Sequence, residues 1–552
     1  MLAAFSIIAN SVSLALAMDR ASCEQSVMDL LKKDSNYSRP HPQYFFGAEG
    51  GDALNPVLTL DGCLVLCEDG PANLWYPDIG QRYMVFLLPI VALLFNMDVS
   101  PLDKAKYYEI FNLLGNPIGC FEAMLAKVKV WDWCARADEH ICEALGYSDN
   151  EAKGLGTVLA MIEDILGPSF DPVKVLEALT INRLPAQPPL SNHDQEWLRG
   201  QSLIAVIREA VLNAAYEVVD GRTNDIWRTY GGLVFYSLSV IAAFVTVVGG
   251  GNNSPPGGRI ATALLLSWLI PAVLLSNFIG GYVSRRTTLR AMKRMVTTID
   301  DCIIETPRRP SAQNEVGLLQ LRGILASPDV LLGNQRWNGG SDLYRPDSVA
   351  SFDPSPRKWI IRLVSTVPVF ISFAFGFPIL WLQPPQGLNC RSFLLIGITS
   401  LWLVSAAISW GTWSYMPWFR DTVNRHWHWR LTLLKDTIFG LGCLVMIFLS
   451  SAGLFNTCWC WSERLYYHDQ AHVPLNIDGI YVTLEAKNYP MLASVCIVLE
   501  GLSFVLMYFG LRKGFKLFRW SEVEITKEFI DQAGASLKPK RPFLFRMLLR
   551  YH

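Results

Sequence analysis

One acid stands inside an otherwise apolar run. Glu500 lies near the middle of residues 491–511, beside Gly501 and close to Ser503. An ionised carboxylate at the centre of a bilayer costs several kcal/mol, so such a group faces a protein interior and carries a partner or a proton. Two roles fit it. It is a proton or cation site on a transport path, or it is a protonated carboxyl bonded to a neighbouring helix, with Asn277 the expected partner and Gly501 permitting close packing. A second set of acids, Asp300, Asp301 and Glu305, follows a basic cluster. Paired acids can hold magnesium against a diphosphate. Here the match is loose and a second metal-binding element is missing, which favours a solvated helix face paired with Arg290, Lys293 and Arg294. The run His426-Trp427-His428-Trp429 offers imidazoles to a metal or haem. Flanked by Arg425 and Arg430 at a span end, it reads instead as an interfacial belt. No phosphate-cradling glycine loop, zinc-protease helix or nucleophile elbow occurs, so no cofactor is implied and no catalytic motif is recognisable.

Cysteine is the other reactive type. Cys23, Cys63, Cys67, Cys390, Cys458 and Cys460 all fall on the side expected to be luminal, an even number in an oxidising compartment. Cys458 and Cys460 are too close for an easy mutual bridge, so each is expected to bond the amino-terminal region or Cys390. Six cysteines allow fifteen pairings. The favoured arrangement ties Cys63 and Cys67 to Cys458 and Cys460 and clamps the amino-terminal region over the bundle; a redox or metal site is the alternative. Asn36-Tyr37-Ser38 is a glycosylation acceptor on the same side.

The elements that position these residues follow from composition and charge. The chain has 552 residues, formal net charge −1, 51% hydrophobic and 18% charged residues, with mean hydropathy +0.24. Soluble domains carry about 25% charged residues. The absence of a basic excess argues against nucleic acid as a partner. Residues 260–283 hold no charge and are followed by Arg285, Arg286, Arg290, Lys293 and Arg294. About 20 residues at 1.5 Å rise cross the hydrocarbon, and the basic stop puts the carboxyl end of this span in the cytosol. The other segments are threaded to agree with it. Residues 1–18 are a signal peptide or signal-anchor, and 19–82 a luminal cysteine-containing region. Residues 83–97 form a span, and 98–229 a cytosolic amphipathic helical region whose Gly115-Asn116-Pro117 marks a surface or re-entrant segment. Within it Leu203, Ile204, Ile207, Val211, Ala215 and Val218 make one apolar helix stripe. Then come a transmembrane hairpin over 230–283, a partly disordered cytosolic insert over 284–358, a second hairpin over 363–410 and a cytosolic loop over 411–430. A pair of spans over 437–511 encloses the luminal loop 456–489, and a basic cytosolic tail fills 512–552. The expected fold is an all-α polytopic membrane bundle of about seven spans with a disulfide-bonded luminal cap.

Several local patterns carry a resemblance. They are Asp61-Gly62-Cys63-Leu64-Val65-Leu66-Cys67, Gly115-Asn116-Pro117-Ile118, Leu274-Leu275-Ser276-Asn277-Phe278-Ile279-Gly280-Gly281 with Arg285-Arg286, Gly387-Leu388-Asn389-Cys390-Arg391, and Phe455-Asn456-Thr457-Cys458-Trp459-Cys460. Together they resemble a large group of uncharacterised integral membrane proteins of filamentous fungi. The resemblance implies a fungal origin and a secretory-pathway or plasma membrane, and it implies no activity. Three functions stay open: transport of a small molecule or ion or an accessory membrane role, a membrane enzyme of a fungal secondary-metabolite pathway, or a sensor or scaffold. The lipid bilayer is the expected partner, with a small-molecule ligand whose identity the residues do not give.

Overall fold

The computed structural model describes residues 20–34, 37–47, 51–52, 54–67, 106–145, 149–166, 194–223, 226–244, 257–279, 281–282, 285–304, 358–382, 387–415, 425–451, 457–475 and 478–520. The leader over 1–18, Asn36, the span over 83–97, Glu305 and the end of the tail lie outside them. The chain divides into two compact units. One comprises Met1–Lys127, Asn224–Gly281 and Gly339–Gly510; the other comprises Val128–Thr223, Tyr282–Asn338 and Leu511–His552.

Among its described residues the first unit holds five helical segments long and apolar enough to cross a membrane: Ile260–Ile279, Trp359–Leu382, Cys390–Thr412, Arg430–Ser450 and Asn488–Gly510. The first of these is 72% buried, whereas the other four are 22–44% buried, so Ile260–Ile279 is the central element. The outer four turn apolar side chains outward, among them Phe370, Leu434, Ile438, Leu441 and Leu506. Such a continuous apolar exterior suits lipid rather than water. Of the seven spans expected, these are the last five. The stretch over 230–248 is represented by helix Ile226–Phe244, whose apolar continuation lies past the described residues.

The span expected to start after Asp436 lies within helix Arg425–Ser451, whose apolar stretch covers Arg430–Ser450. Within it Lys435 and the buried Asp436 form an ion pair at 2.7 Å, which offsets part of the cost that a lone charge would carry there.

Residues 106–127 fall in the stretch expected to hold a surface or re-entrant segment. Helix Lys106–Gly115 (α1) and the start of helix Pro117–Leu145 (α2) lie within the first unit, and residues 112–128 are buried apart from Gly119. Proline at the first position of α2 suits a helix start, and the Asn116 side chain caps it by accepting the Gly119 N–H at 3.0 Å. α1 packs on helix Arg425–Ser451 at glycine contacts. A Cβ on Gly115 would strike the Asp436 carbonyl, and one on Gly440 would strike the Phe111 carbonyl. The pairing of 115 with 436 and of 111 with 440 makes the two helices antiparallel. The Leu114 carbonyl accepts the Trp402 indole N–H at 2.7 Å. Glu122 binds both the Trp410 indole N–H and Arg362.

The amino-terminal region and the loop after Ser451 fold into one cap. Strand Val57–Thr59 (β1) pairs antiparallel with strand His472–Pro474 (β2), a small sheet absent from the all-α expectation. Helix Leu60–Leu66 (α3) starts where Thr59 caps the Gly62 N–H at 3.0 Å. The cap core joins Cys23, Val27, Leu31, Phe45 and Leu58 to Trp461, Val473 and Leu475. Three disulfides staple it: Cys23–Cys67, Cys63–Cys458 and Cys390–Cys460. Cys67 therefore bonds within the amino-terminal region rather than to Cys460. Cys460 instead reaches Cys390, the first residue of helix Cys390–Tyr415, and fastens the cap to the bundle.

The second unit is helical. Helix Asp194–Asp220 packs against Asp149–Leu166 and against Arg285–Ile304. The apolar stripe through Ile207, Val211, Ala215 and Val218 is buried, so the protein's own helices cover it. Gly514 lies against the Val128 carbonyl, and its N–H donates to Asp132 at 3.1 Å.

Candidate functional site

The central span is not one continuous helix. It comprises Gly257–Leu265 (α4) and Leu269–Ile279 (α5) with a break at 266–268. Pro271 supplies the cause. It has no N–H for the Ser267 carbonyl four residues earlier, and its ring crowds that carbonyl. The turn tightens, with Ser267 N–H bonding Leu264 O at 3.0 Å and Ile270 N–H bonding Ser267 O at 2.9 Å, the shorter spacing of a 3₁₀ turn. The Trp268 N–H leaves the helix ladder and donates to the Ser372 hydroxyl at 2.9 Å.

Glu500 sits against this break. It lies within helix Asp478–Gly510 and is fully buried. The Ser372 hydroxyl donates to its Oε1 at 2.9 Å, and Ser267 Oγ stands 3.3 Å from the same oxygen. Ser267 Oγ is also 2.9 Å from Ser372 Oγ and 3.3 Å from the Cys496 thiol. Cys496 is one turn before Glu500, on the same helix face. Tyr236 donates its hydroxyl to the Ala263 carbonyl at 2.8 Å, just before the break. The second oxygen, Oε2, is buried with no hydrogen-bond partner among the described residues. The expected bond to Asn277 is not formed: Asn277 donates to Val273 of its own helix at 2.8 Å. Ser267 and Ser372 take the role assigned to it. Hydroxyls inside apolar runs are common, and the only local signal for this pair is Pro271 four residues after Ser267.

A second polar group lies beyond an aromatic contact. Trp268 meets Trp402 edge-on with ring centroids 5.6 Å apart. One turn along from Trp402, Ser405 donates to Asp436 at 3.1 Å. The Lys435 ammonium bonds the Ser405 carbonyl at 2.8 Å and the Ser409 hydroxyl at 2.6 Å. Asn116 reaches Ser409 at 3.3 Å. The first unit therefore buries one interrupted span and two ionisable clusters, linked by the Trp268–Trp402 contact.

The remaining candidates are not drawn together. Asp300 and Asp301 fall on helix Arg285–Ile304 in the second unit, with Asp301 exposed. Arg294 pairs with Glu217 at 2.8 Å. His426 and His428 lie in the first turn of helix Arg425–Ser451. Among the described residues no group of three or more histidine, cysteine, aspartate or glutamate side chains is placed to hold a metal ion. The six paired cysteines are closed as disulfides, and Cys120, Cys134, Cys443 and Cys496 are buried and not disulfide-bonded. No protein-family model, curated protein or solved structure matches the chain.

Proposed function

We propose that this protein moves a proton or small cation, alone or with a small molecule, across a secretory-pathway or plasma membrane, with Glu500 as the group that takes up and releases it. The cap faces the lumen or exterior in this reading, and the carboxyl terminus faces the cytosol, as the basic residues after the spans require. One observation carries the reading: a buried carboxyl with a partnerless oxygen abuts the break in the central helix. Interrupted helices free backbone groups and give a buried site room to reorganise, and transporters place substrate sites at such breaks. A carboxyl there is ready to exchange its proton for a cation, with Ser267 and Ser372 donating to whichever form is present.

The test is flux in liposomes carrying the purified full chain. Protons, Na⁺ and K⁺ are driven inward by an imposed potential and followed with interior indicators. At least one ion is expected to enter faster than in empty liposomes, and Glu500→Gln is expected to abolish the difference. Equal flux with and without the protein, or undiminished flux in Glu500→Gln, would remove the proposal.

A further inference from the structure

The cap holds a second buried acid without a partner. Glu463 is 4% exposed, and its Oε2 has no hydrogen-bond partner among the described residues. Its backbone is left-handed, φ 51° and ψ 38°, a conformation unusual for glutamate. Five residues later His468 has φ 49° and ψ −109°. Two such outliers in one short turn mark a segment held by its surroundings. The holders are identifiable: Cys458 bonds Cys63 and Cys460 bonds Cys390 immediately before the turn. The Tyr466 and Tyr467 amides both donate to the Glu463 carbonyl, at 2.8 and 2.9 Å, and the His472 amide donates to Ser462 at 3.2 Å. Opposite stands Gly387, whose φ of 104° requires glycine. The Tyr466 ring and Glu463 Oε2 both lie beside its α-carbon.

We infer that Glu463 is a proton-binding latch of the cap. Protonated, the carboxyl rests buried between Gly387 and Tyr466 and the 463–472 turn is closed. Ionised, it leaves for water and the turn opens. Among the described residues no hydrogen bond or ion pair to the carboxyl compensates an ionised form. Arg391 lies over the Trp461 ring at 5.0 Å, and Arg464 pairs with Asp469 at 3.4 Å. His472 contacts the Gln470 carbonyl at 2.9 Å. These groups, with His468, Tyr466 and Tyr467, are the titratable and charged side chains of the turn and of its contacts among the described residues, and no side chain of theirs is hydrogen-bonded or ion-paired to the Glu463 carboxyl there. Burial accordingly pushes the Glu463 carboxyl up to about 8. The sign follows by linkage. A solvated glutamate releases its proton at about 4.3, so between that value and the raised one the closed turn holds a proton that the open turn has lost. The closed-to-open ratio then falls about tenfold per pH unit on raising pH through this window, and is constant above it.

Amide hydrogen exchange of the full chain in nanodiscs, corrected for intrinsic rates, tests the latch. Protection of the Tyr466 and Tyr467 amides is expected to fall about tenfold per unit up to about pH 8 and then level. Glu463→Gln is expected to hold protection constant across the same range. Tyr466→Ala admits water to the carboxyl and is expected to move the levelling point to lower pH. Flat protection in the native chain, or a native pH slope in Glu463→Gln, would overturn the inference. If Glu463→Gln does not fold, an unmoved levelling point in Tyr466→Ala overturns it equally.

Discussion

The Ser372 hydroxyl accepts the Trp268 N–H and donates to Glu500, each at 2.9 Å. One side chain therefore ties the break in the central span to the buried acid. Without it the backbone donor would be stranded, and the acid would keep only the longer contact to Ser267. Ser372→Ala leaves a buried N–H unsatisfied, and this costs about 1–3 kcal/mol. Thermal unfolding in detergent should show the loss, and Ser372→Thr should restore most of it.

Pro271 makes the opposite kind of prediction. Pro271→Ala returns an N–H to the position that can bond the Ser267 carbonyl, which allows a continuous helix. The variant should unfold at the same temperature or higher, while liposome flux falls because the freed groups at 266–268 rejoin the ladder. Lower stability with unchanged flux would show the break to be packing alone.

The part legible in the sequence was what depends on runs and counts. Apolar stretches gave the five described spans, and the oddity of Glu500 was visible because one charge stood in a long apolar run. What failed depends on pairwise geometry. Lys435 and Asp436 read as the end of an apolar run because hydropathy scores each charge as if it were alone, whereas the two pair with one another inside one helix. Asn277 was one polar side chain on a neighbouring span that could have partnered Glu500, yet its own helix satisfies it. Three-residue strands such as β1 and β2 carry no usable periodicity. The left-handed backbone at Glu463 has no residue signature, since glutamate is not a turn former.

The disulfide pairing has a direct check. Non-reducing peptide mapping should recover Cys23–Cys67, Cys63–Cys458 and Cys390–Cys460. Cys63 and Cys458 are 395 residues apart in sequence. Their bond holds α3 to the loop after Ser451, with both sulfurs inside the cap core. Cys63→Ser should destabilise the cap by about 2–5 kcal/mol, measured as proteolytic release of the amino-terminal region. Cys67→Ser leaves that long-range tie intact and should release it less readily.

The Lys435–Asp436 pair separates charge burial from charge function. Asp436 is 1% exposed and accepts from both Lys435 and Ser405. Removing one partner strands the other, so Lys435→Met or Asp436→Asn alone should each cost about 3–5 kcal/mol. The double variant Lys435→Met/Asp436→Leu removes both desolvation penalties and should recover much of that stability. Thermal unfolding of the four proteins gives the coupling as a double-mutant cycle. If the double variant is stable and also carries ions at the native rate, the pair is a packing device for α1 and helix Arg425–Ser451, and conduction belongs to Glu500 alone. If it is stable and silent, the two clusters flanking the Trp268–Trp402 contact act as one path.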